Sequence, residues 1–403
     1  MHSEDVKRIL VPVLLGLTLG CGGSHHSSGG ATKTTGISRV VLASGLSQPM
    51  QYVASTADAR LAYVLEREGR VRVMVDDTLA SAFVLDLTNV VITDGECGLQ
   101  GMALAPDFKT SRAFYLQYNT RDDGVIHTRV TRFTMAADGR SASGGAPVFY
   151  VDQPYTNHKG GTINFGGDGL LYLALGDGGN GNDPGNRAQD PQSLLGKVLR
   201  IDPSGDDLPS DPNNDYRIPA TNPFVGTAGV RGEIWDFGVR NPFRWSVDSK
   251  TKAFVFADVG QDHYEELDYE PANAGGRNYG WRVREGLHAS GNDGPLFSQT
   301  LTDPFLEYDH SVGHSITGGF VVRSSSLGLD GHYLFADFVD NHLWSLPLTL
   351  SGGEAAPTSL AVSTEISVTG GWNGIVSINP DANGQPVVVE LNAGMVSRLV
   401  PSS

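Results

Sequence analysis

A short unit recurs along this chain: an apolar strand stopped by a small residue and an acid. Residues 171–177, 254–258 and 333–337 fit this pattern, and residues 63–66 are a looser copy. Strand-forming runs of this length, with turn-forming residues between them, predict short β-strands. Repeated strand units without helices predict a propeller, whose blades surround a central channel. A pair of β-sandwiches is the competing architecture.

The composition agrees with an all-β protein. The chain holds 51 glycines and 21 prolines against 18% charged residues, which argues against a helical protein. One short helical pattern stands at residues 191–197. Six blades over about 365 residues would each span roughly 61 residues, more than the usual 40–50, so several blades must carry long loops. Further strands are predicted at 61–65, 71–75, 113–118, 130–134, 253–257, 319–322, 332–336 and 387–391.

The first 38 residues are predicted to lie outside the propeller. Residues 1–20 resemble a bacterial lipoprotein signal peptide, because basic residues precede an apolar run too short to span a bilayer. Cys21 would carry the lipid; a plain secretory signal is the alternative. Residues 21–38, rich in Gly, Ser and Thr, predict a flexible tether, and the propeller is expected over 39–403. The prediction is an exported, lipid-anchored protein, at the outer membrane or periplasmic face of a Gram-negative host and otherwise at the cell surface.

Charge and cysteine content narrow the partners. The net charge is −16, whereas nucleic-acid-binding proteins carry a basic footprint, so no nucleic acid is expected. The acidic balance suits solubility and divalent cations. The two cysteines are Cys21 and Cys97, so acylation of the first leaves no disulfide within the chain. No later segment is apolar for long enough to cross a membrane, so membrane contact is expected only through the lipid anchor.

The longest run of turn-forming residues follows one copy of the repeat. Asp177 ends the strand and opens a loop of Gly, Asn and Asp residues that continues to about Ala188. A hairpin needs about two to five residues, so this loop is longer than a connection requires, and such loops often hold ligands. His158 stands just before two glycines and ahead of the same strand. A long surface loop beside an ordinary polar histidine is the alternative interpretation.

Common motifs do not account for this loop. Residues 176–181 match G-x-G-x-x-G, but a dinucleotide site needs a helix directly afterwards, and a Pro-Gly turn follows soon after instead. An EF-hand starting at Asp177 fails because Gly179 and Gly181 stand where side-chain ligands are needed. No H-E-x-x-H, G-x-S-x-G or Walker A sequence occurs.

From about Val40 to the end, the chain resembles the glucose/sorbosone dehydrogenase family. The members are six-bladed propellers that include soluble quinoprotein sugar dehydrogenases and hedgehog-interacting-protein-like proteins. The resemblance implies an all-β, six-bladed β-propeller with long inter-strand loops around a central channel. It rests on blocks in the same order, at residues 41–49, 98–103, 106–108, 158–187, 238–242, 258–261, 265–266, 278–281 and 315–319.

The resemblance also implies a catalytic site. In the quinoproteins the histidine matching His158 is the general base, and an aspartate nineteen residues later, here Asp177, orients it. An imidazole titrates near neutral pH and needs a partner to fix its tautomer, so the pairing is chemically sound. Arg240 matches the arginine that stabilises charge on the quinone oxygen. Asn241 matches a residue that contacts the cofactor, and Glu96 replaces a glutamine that does so.

The implied cofactors are pyrroloquinoline quinone (PQQ) and calcium. Gly260 and Gln261 match backbone carbonyl ligands of calcium, and Glu266 matches a carboxylate of a neighbouring calcium site; such oxygen ligands suit this ion. The quinoproteins also place one lysine and two arginines on the PQQ carboxylates. Residues 338–342 and 370–373 supply none of these cations. Each one lost removes a charge-assisted hydrogen bond worth about 1.5–3 kcal/mol.

The sequence therefore predicts an extracytoplasmic, PQQ- and calcium-dependent sugar dehydrogenase that takes hydride from an anomeric or similar hydroxyl of an aldose. A small-molecule sugar or glycan is the expected partner, and the redox acceptor is not indicated. Two other functions stay open. A non-catalytic glycan- or protein-binding propeller would use the same channel without a quinone. A calcium-dependent lactonase-type hydrolase would act on lactones.

Overall fold

Six antiparallel sheets follow one another along the chain and form a ring. The computed structural model describes residues 32–34 and 36–402, so the predicted signal peptide and Cys21 lie outside the described residues. Each sheet contacts the next, and the last contacts the first around a central channel. This arrangement is the six-bladed β-propeller that the sequence predicts, and the sandwich alternative is wrong.

The blades are numbered in chain order, with the strands of each given in sheet order and starting from the inner strand that lines the channel. Blades 1 to 3 contain Pro49–Ala54, Leu61–Glu66, Arg70–Val75 and Thr78–Asp86; Leu99–Leu104, Ala113–Asp122, Val125–Met135 and Ala142–Gln153; and Ile163–Phe165, Leu171–Leu175, Lys197–Ile201 and Ile234–Phe237. Blades 4 to 6 contain Pro242–Val247, Phe254–Asp258, Tyr264–Glu270 and Leu306–Asp309; Ile316–Thr317, His332–Asp337, His342–Pro347, Thr364–Ile366 and Thr32–Thr34; and Ile375–Pro380, Pro386–Glu390, Met395–Pro401 and Ile37–Ala43.

Few other elements occur in the described part. Two short hairpins pair Arg284–Glu285 with His288–Ala289 and Leu350–Ser351 with Glu354–Ala355. The helical elements are the four-residue α-helix Phe108–Ser111 and the 3-10 turn Leu360–Val362. No helix within residues 36–402 is long and apolar enough to cross a membrane.

Strands from both ends of the propeller close the ring. Ile37–Ala43 pairs antiparallel with Met395–Pro401, so blade 6 takes its outermost strand from the N-terminal side. Thr32–Thr34 pairs in parallel with Thr364–Ile366 at the edge of blade 5. The strands therefore begin within residues 21–38, which the sequence predicts as a tether.

The hydrophobic core lies between neighbouring blades. Leu171–Leu175 and Lys197–Ile201 bury every residue, because both faces of these strands are covered. Between blades 3 and 4 the core is largely aromatic and includes Trp235, Trp245 and Phe254. Fully burying an apolar side chain stabilises a fold by about 1.5–3 kcal/mol, so these layers fix the relative position of the blades.

The acid of the sequence repeat joins the two innermost strands of a blade. Level with the start of the inner strand, the second strand or its end carries a polar residue: Glu66, Asn119, Asp177, Asp258, Asp337 and Glu390 in blades 1 to 6. In five blades this side chain accepts a backbone N–H from the segment entering the inner strand: Ser47, Gly98, Arg240, Ser315 and Asn373. Hydrogen bonds to a carboxylate are stronger than neutral ones, so the acids of the repeat hold the two innermost strands of a blade together. Blade 3 is the exception.

Two of the secondary-structure predictions are wrong. Residues 191–196 form turns rather than a helix, because Gly196 takes a φ of +68° and the strand Lys197–Ile201 starts directly after it. Residues 319–322 hold one isolated bridge rather than a strand. The inner strand of blade 5 ends at Thr317, and the next two residues are glycines packed against backbone carbonyls of neighbouring strands.

Candidate active site

His158 and Asp177 meet at one end of blade 3. His158 precedes the inner strand Ile163–Phe165, and Asp177 follows the second strand Leu171–Leu175. These strands are antiparallel neighbours, so the start of one lies beside the end of the other. The Nδ1 atom of His158 lies 2.7 Å from Oδ1 of Asp177. The structure thus brings together the two residues that the sequence singles out.

The backbone around His158 explains the glycines that follow it. His158 itself has a φ of +56°, which is uncommon for a residue with a side chain and is often found at functional sites. A Cβ atom at Gly160 would collide with the carbonyl of Ala174, and one at Gly161 with that of Phe243. The two glycines therefore let this turn pack directly on the neighbouring strands.

Asp177 is fully buried, and both of its carboxylate oxygens are engaged. Oδ1 also accepts the N–H of Gly179 at 2.8 Å, and Oδ2 accepts the indole N–H of Trp281 at 2.8 Å. Burial alone would raise the pKa of Asp177, but the facing His158, Arg240 and the Gly179 N–H outweigh it and hold the pKa below its ordinary value. A charged Asp177 fixes the proton on Nδ1 of His158, which leaves Nε2 free to accept another.

Glu96 and Asn241 tie His158 to two further blades. Oε2 of Glu96 accepts the backbone N–H of His158 at 2.8 Å and the Nδ2 group of Asn241 at 3.1 Å. Oδ1 of Asn241 accepts the N–H of Gly160 at 3.0 Å. Glu96 precedes blade 2 and Asn241 precedes blade 4, so three blades contribute to one site. The exposed Glu96 leaves a negative charge at the site.

Arg240 brings a positive charge to the same site. Its Nη1 group donates to the carbonyl of Val259 at 2.8 Å, and its guanidinium carbon lies 5.4 Å from the centre of the Trp281 ring. Its Nε is buried and has no hydrogen-bond partner in the described part of the chain. A buried donor without a partner is suited to stabilise negative charge that develops on a ligand oxygen.

Lys159 directly follows His158 and was missed by the sequence analysis. It is fully buried, and its Nζ donates to Oε1 of Gln153 at 2.7 Å. Burial lowers the pKa of Lys159 to about 8. The available signal was a lysine directly before two glycines, in a segment that a core strand follows.

The segment that includes Gly260 and Gln261 is an ordered loop beside the site. Oε1 of Glu285 accepts four successive N–H groups, those of residues 261–264, at 2.7–3.1 Å. The side chain of Gln261 donates to Oδ1 of Asn182 at 2.6 Å, which joins this loop to the long loop after Asp177. The four bonds to the Glu285 carboxylate are charge-assisted, so they hold the loop in one shape.

Glu266 stands apart from those two residues. It lies on the strand Tyr264–Glu270, directly opposite Asp258. Burial, and after it the neighbouring Asp268 and Asp258, raise the pKa of Glu266 well above its ordinary value. Among residues 36–402 no group of three or more His, Cys, Asp and Glu side chains is arranged to hold a metal ion. The predicted calcium ligands therefore remain a prediction.

The segments that would face the PQQ carboxylates are held by other contacts. In residues 338–342, Asp340 pairs with His314 at 2.7 Å, and Asn341 accepts the N–H of Gly374 at 2.6 Å. Trp372 lies against Arg39, whose guanidinium is already paired with Glu390 at 2.7 Å. The reacting side, with His158 and Arg240, fits a quinone oxygen, whereas these segments do not offer the cations that a tricarboxylate needs.

Arg244 closes the channel. This buried residue of the inner strand of blade 4 donates to four backbone carbonyls from four other segments, those of Val376, Gln100, Gly161 and Met50, at 2.8–3.0 Å. Burial lowers the pKa of Arg244 to about 9. The four carbonyl partners surround the guanidinium, so the site of His158 has a floor and is not an open pore.

Known proteins share this architecture and sequence. The glucose/sorbosone dehydrogenase family profile matches residues 46–385. The HIPL1 protein of Arabidopsis thaliana is 34% identical over 331 residues, which cover 68% of this chain and 47% of that protein. The aldose sugar dehydrogenase YliI of Escherichia coli (strain K12) is 32% identical over 201 residues, 49% of each chain. The chain thus spans about half the length of the curated relatives it matches.

A solved structure shows the same fold. The PQQ-bound form of the aldose sugar dehydrogenase of Streptomyces coelicolor aligns with a TM-score of 0.70 at 23% identity, covering 92% of this chain and 100% of that one. The family profile extends over nearly all of the propeller, including the turn that carries His158 and the segment that carries Arg240. The chain belongs to the glucose/sorbosone dehydrogenase family.

Proposed function

We propose that this protein is an extracytoplasmic sugar dehydrogenase that uses PQQ and calcium. The observation that carries the proposal is the buried His158–Asp177 pair, 2.7 Å apart, close to Arg240 with its unpartnered Nε. The name of the relative YliI, an aldose sugar dehydrogenase, supports the substrate class. PQQ, when bound, supplies the hydride acceptor.

The side chains divide the remaining chemistry between them. His158 takes the proton of the anomeric hydroxyl on Nε2, and Asp177 stabilises the imidazolium that forms. Arg240 would stabilise the negative charge that develops on the acceptor oxygen when hydride is transferred. The substrate loses one proton and one hydride in total, so an aldose leaves as its lactone.

Dye reduction by the protein loaded with PQQ and Ca²⁺ tests this proposal. General-base catalysis contributes about 10²–10⁴-fold, so we expect His158→Ala to lower kcat by that factor and Asp177→Asn to lower it less. His127→Ala is a matched control, because His127 is also buried and its Nδ1 lies 2.9 Å from an aspartate, Asp152, in blade 2. Turnover in His158→Ala within about threefold of wild type would refute the role of the base.

The lipid anchor is a separate part of the proposal. It rests on the sequence around Cys21, where a short apolar run ends at Gly20. We expect acyl labelling and globomycin-sensitive processing in the wild type and neither in Cys21→Ser. Cys97→Ser is the control, because Cys97 is buried in the propeller. Equal labelling of the wild type and Cys21→Ser would rule out an anchor at this residue.

A second candidate function is glycan or protein binding without catalysis. Residues 338–342 and 370–373 lack the cations of the quinone site, and Glu96 adds a negative charge beside His158. The hedgehog-interacting-protein-like members of the family give this candidate a precedent. Titration of the apo-protein with PQQ and Ca²⁺, and separately with glycans, discriminates the two. Saturable glycan binding without PQQ binding or dye reduction favours the binding propeller.

A further inference from the structure

We propose that Trp281 is a positioning residue of the active site, whose indole N–H fixes the carboxylate that orients His158. The effect on turnover rests on the proposed dehydrogenase function, whereas the effect on the imidazole does not. Trp281 lies 104 residues after Asp177 and reaches its Oδ2 at 2.8 Å.

The carboxylate of Asp177 has one orientation because both oxygens are bound. Oδ1 is shared by the imidazole and the N–H of Gly179, and Oδ2 is bound by Trp281. The terminal torsion of an aspartate is otherwise broad and roughly two-fold. Without the indole donor, rotation of the carboxylate would break no bond at Oδ2, and the partner of the imidazole would no longer be fixed.

Trp281 is itself held in place from two sides. Its backbone N–H donates to the carbonyl of Gly238 at 2.9 Å, and its own carbonyl accepts the side-chain amide of Gln189 at 2.7 Å. The indole is 3% exposed. The guanidinium of Arg240 packs over the same ring, at 5.4 Å from its centre. One side chain therefore contacts both the partner of the base and the cation proposed to stabilise charge.

The comparison between blades supports a role beyond stability. In blades 4 and 5 the corresponding acids, Asp258 and Asp337, accept backbone N–H groups from the segment entering the inner strand. In blade 3 that segment contributes the imidazole of His158 to Asp177, and Trp281, from the connection between the third and fourth strands of blade 4, occupies the second oxygen. In the other blades the residue at this position joins the two innermost strands, whereas in blade 3 Asp177 orients the side chain of His158.

The test measures the imidazole directly in protein labelled with ¹⁵N-histidine, with His158→Gln used to assign the signal. Wild type should show one neutral tautomer of His158, with a proton on Nδ1 that exchanges slowly. Trp281→Phe removes the indole donor and keeps an aromatic ring under Arg240. We expect both neutral tautomers in this variant and exchange of the Nδ1 proton at least about tenfold faster.

Trp235→Phe is the matched control. Trp235 is also buried, and its indole N–H donates to a carboxylate, Oε1 of Glu270, at 2.8 Å, from the outermost strand of blade 3. It should lower the melting temperature and leave the His158 signals unchanged. A Trp281→Phe spectrum identical to wild type overturns the proposal, as does a Trp235→Phe spectrum that changes in the same way.

A second variant and a kinetic measurement make the result interpretable if the first variant fails to fold or the protein shows no turnover. If Trp281→Phe does not fold, Trp281→Leu gives the same readout, because it too lacks a side-chain donor. In the loaded protein, Trp281→Phe should lower kcat about tenfold with little change in KM. Absence of turnover in the wild type would contradict the dehydrogenase proposal, and the imidazole spectra would then decide the positioning role alone.

Discussion

Glu96 places an exposed carboxylate at the candidate site, where it can affect which ligands bind. Its carboxylate is exposed, and no Lys or Arg of the described chain lies within ion-pair distance of it. Two unit charges about 4 Å apart interact by roughly 1 kcal/mol in bulk water, the medium closest to that around an exposed carboxylate. A neutral sugar does not meet this repulsion, but a tricarboxylate such as PQQ does.

Substitution of Glu96 therefore tests the cofactor proposal. Glu96→Gln removes the charge and keeps a side-chain oxygen that can accept the His158 N–H. We expect the affinity for PQQ to rise about fivefold, measured by calorimetric titration at fixed salt and Ca²⁺. Asp94→Asn is the control, because Asp94 is nearby in sequence and already paired with Arg121 at 2.9 Å. Weaker binding by Glu96→Gln would contradict the repulsion argument.

At the residue scale the sequence indicates the reacting pair and misses its supports. His158 and Asp177 lie nineteen residues apart at the two ends of one hairpin, so the resemblance and the local pattern both place them together. Trp281 reaches Asp177 from 104 residues away, which no local pattern can indicate. Lys159 was missed because a lysine in a glycine-rich turn is ordinarily exposed, and only the packing of the neighbouring strands buries it.

At the scale of the strand, blade 4 carries three alternating acids on one strand, of which Asp268 and Glu270 are buried and Glu266 is half-buried. Glu266, Asp268 and Glu270 alternate along Tyr264–Glu270 and so share one face. On the neighbouring edge of blade 3, Asp236 is fully buried, and its Oδ2 has no hydrogen-bond partner among residues 36–402. Burial first, and then Glu270, raise the pKa of Asp236 well above its ordinary value.

The raised pKa of Asp236 sets the direction in which the stability of the fold changes with pH. Between the ordinary pKa of an aspartate, about 3.9, and the raised value, the folded state binds a proton that the unfolded state has lost. The free energy of unfolding contributed by Asp236 therefore falls as pH rises through that window. We expect Asp236→Asn to melt at a higher temperature than wild type at pH 8 and to lose less stability between pH 5 and pH 8.

Asn at position 236 keeps the oxygen that accepts the N–H groups of Gly276 and Arg277 at 3.0 and 2.8 Å. Asp248→Asn is a control of opposite sign. Burial raises the pKa of Asp248, but its two bonds to Arg323 and those to Thr251 and Lys250 lower it to about 2. That carboxylate stabilises the fold above pH 4, so its loss should lower the melting temperature at pH 8. Equal behaviour of the two variants would contradict the opposite pKa shifts of Asp236 and Asp248.

At the element scale the repeat predicted the strands better than the segments between them. Copies of the apolar run became the second strands of blades 1, 3, 4 and 5, because burial on both faces favours continuous apolar sequence. The helix predicted at 191–197 failed because periodicity over seven residues is weak against a glycine at positive φ and a strand that starts at Lys197.

At the scale of the whole molecule, the closure of the ring joins the two ends of the described chain. Arg39 lies on Ile37–Ala43, the outermost strand of blade 6, and pairs with Glu390, 351 residues later. Family resemblance predicted six blades, but the sequence did not assign Ile37–Ala43 to blade 6, because pairing over such a separation leaves no local signal. For the same reason the tether was predicted to extend two residues into that strand.

Calcium is tested best on the stability of the whole propeller. A ligand that binds only the folded state stabilises it by about 2.7 kcal/mol at a hundredfold excess over Kd. We expect the melting temperature in millimolar Ca²⁺ to exceed that in EGTA by several degrees, and Glu266→Gln to reduce the difference. Millimolar Mg²⁺ is the control for general ionic effects. Identical melting in EGTA and Ca²⁺ would exclude a tight calcium site.

The guanidinium of Arg244, bonded to carbonyls of four other segments, gives the site a single entrance. A ligand that binds against the floor must enter before any ligand that binds above it, and it must leave after that ligand. Where two ligands occupy the channel one above the other, their order of addition is compulsory. The upper ligand would then leave first, and the lower one could not leave while the upper one stays bound.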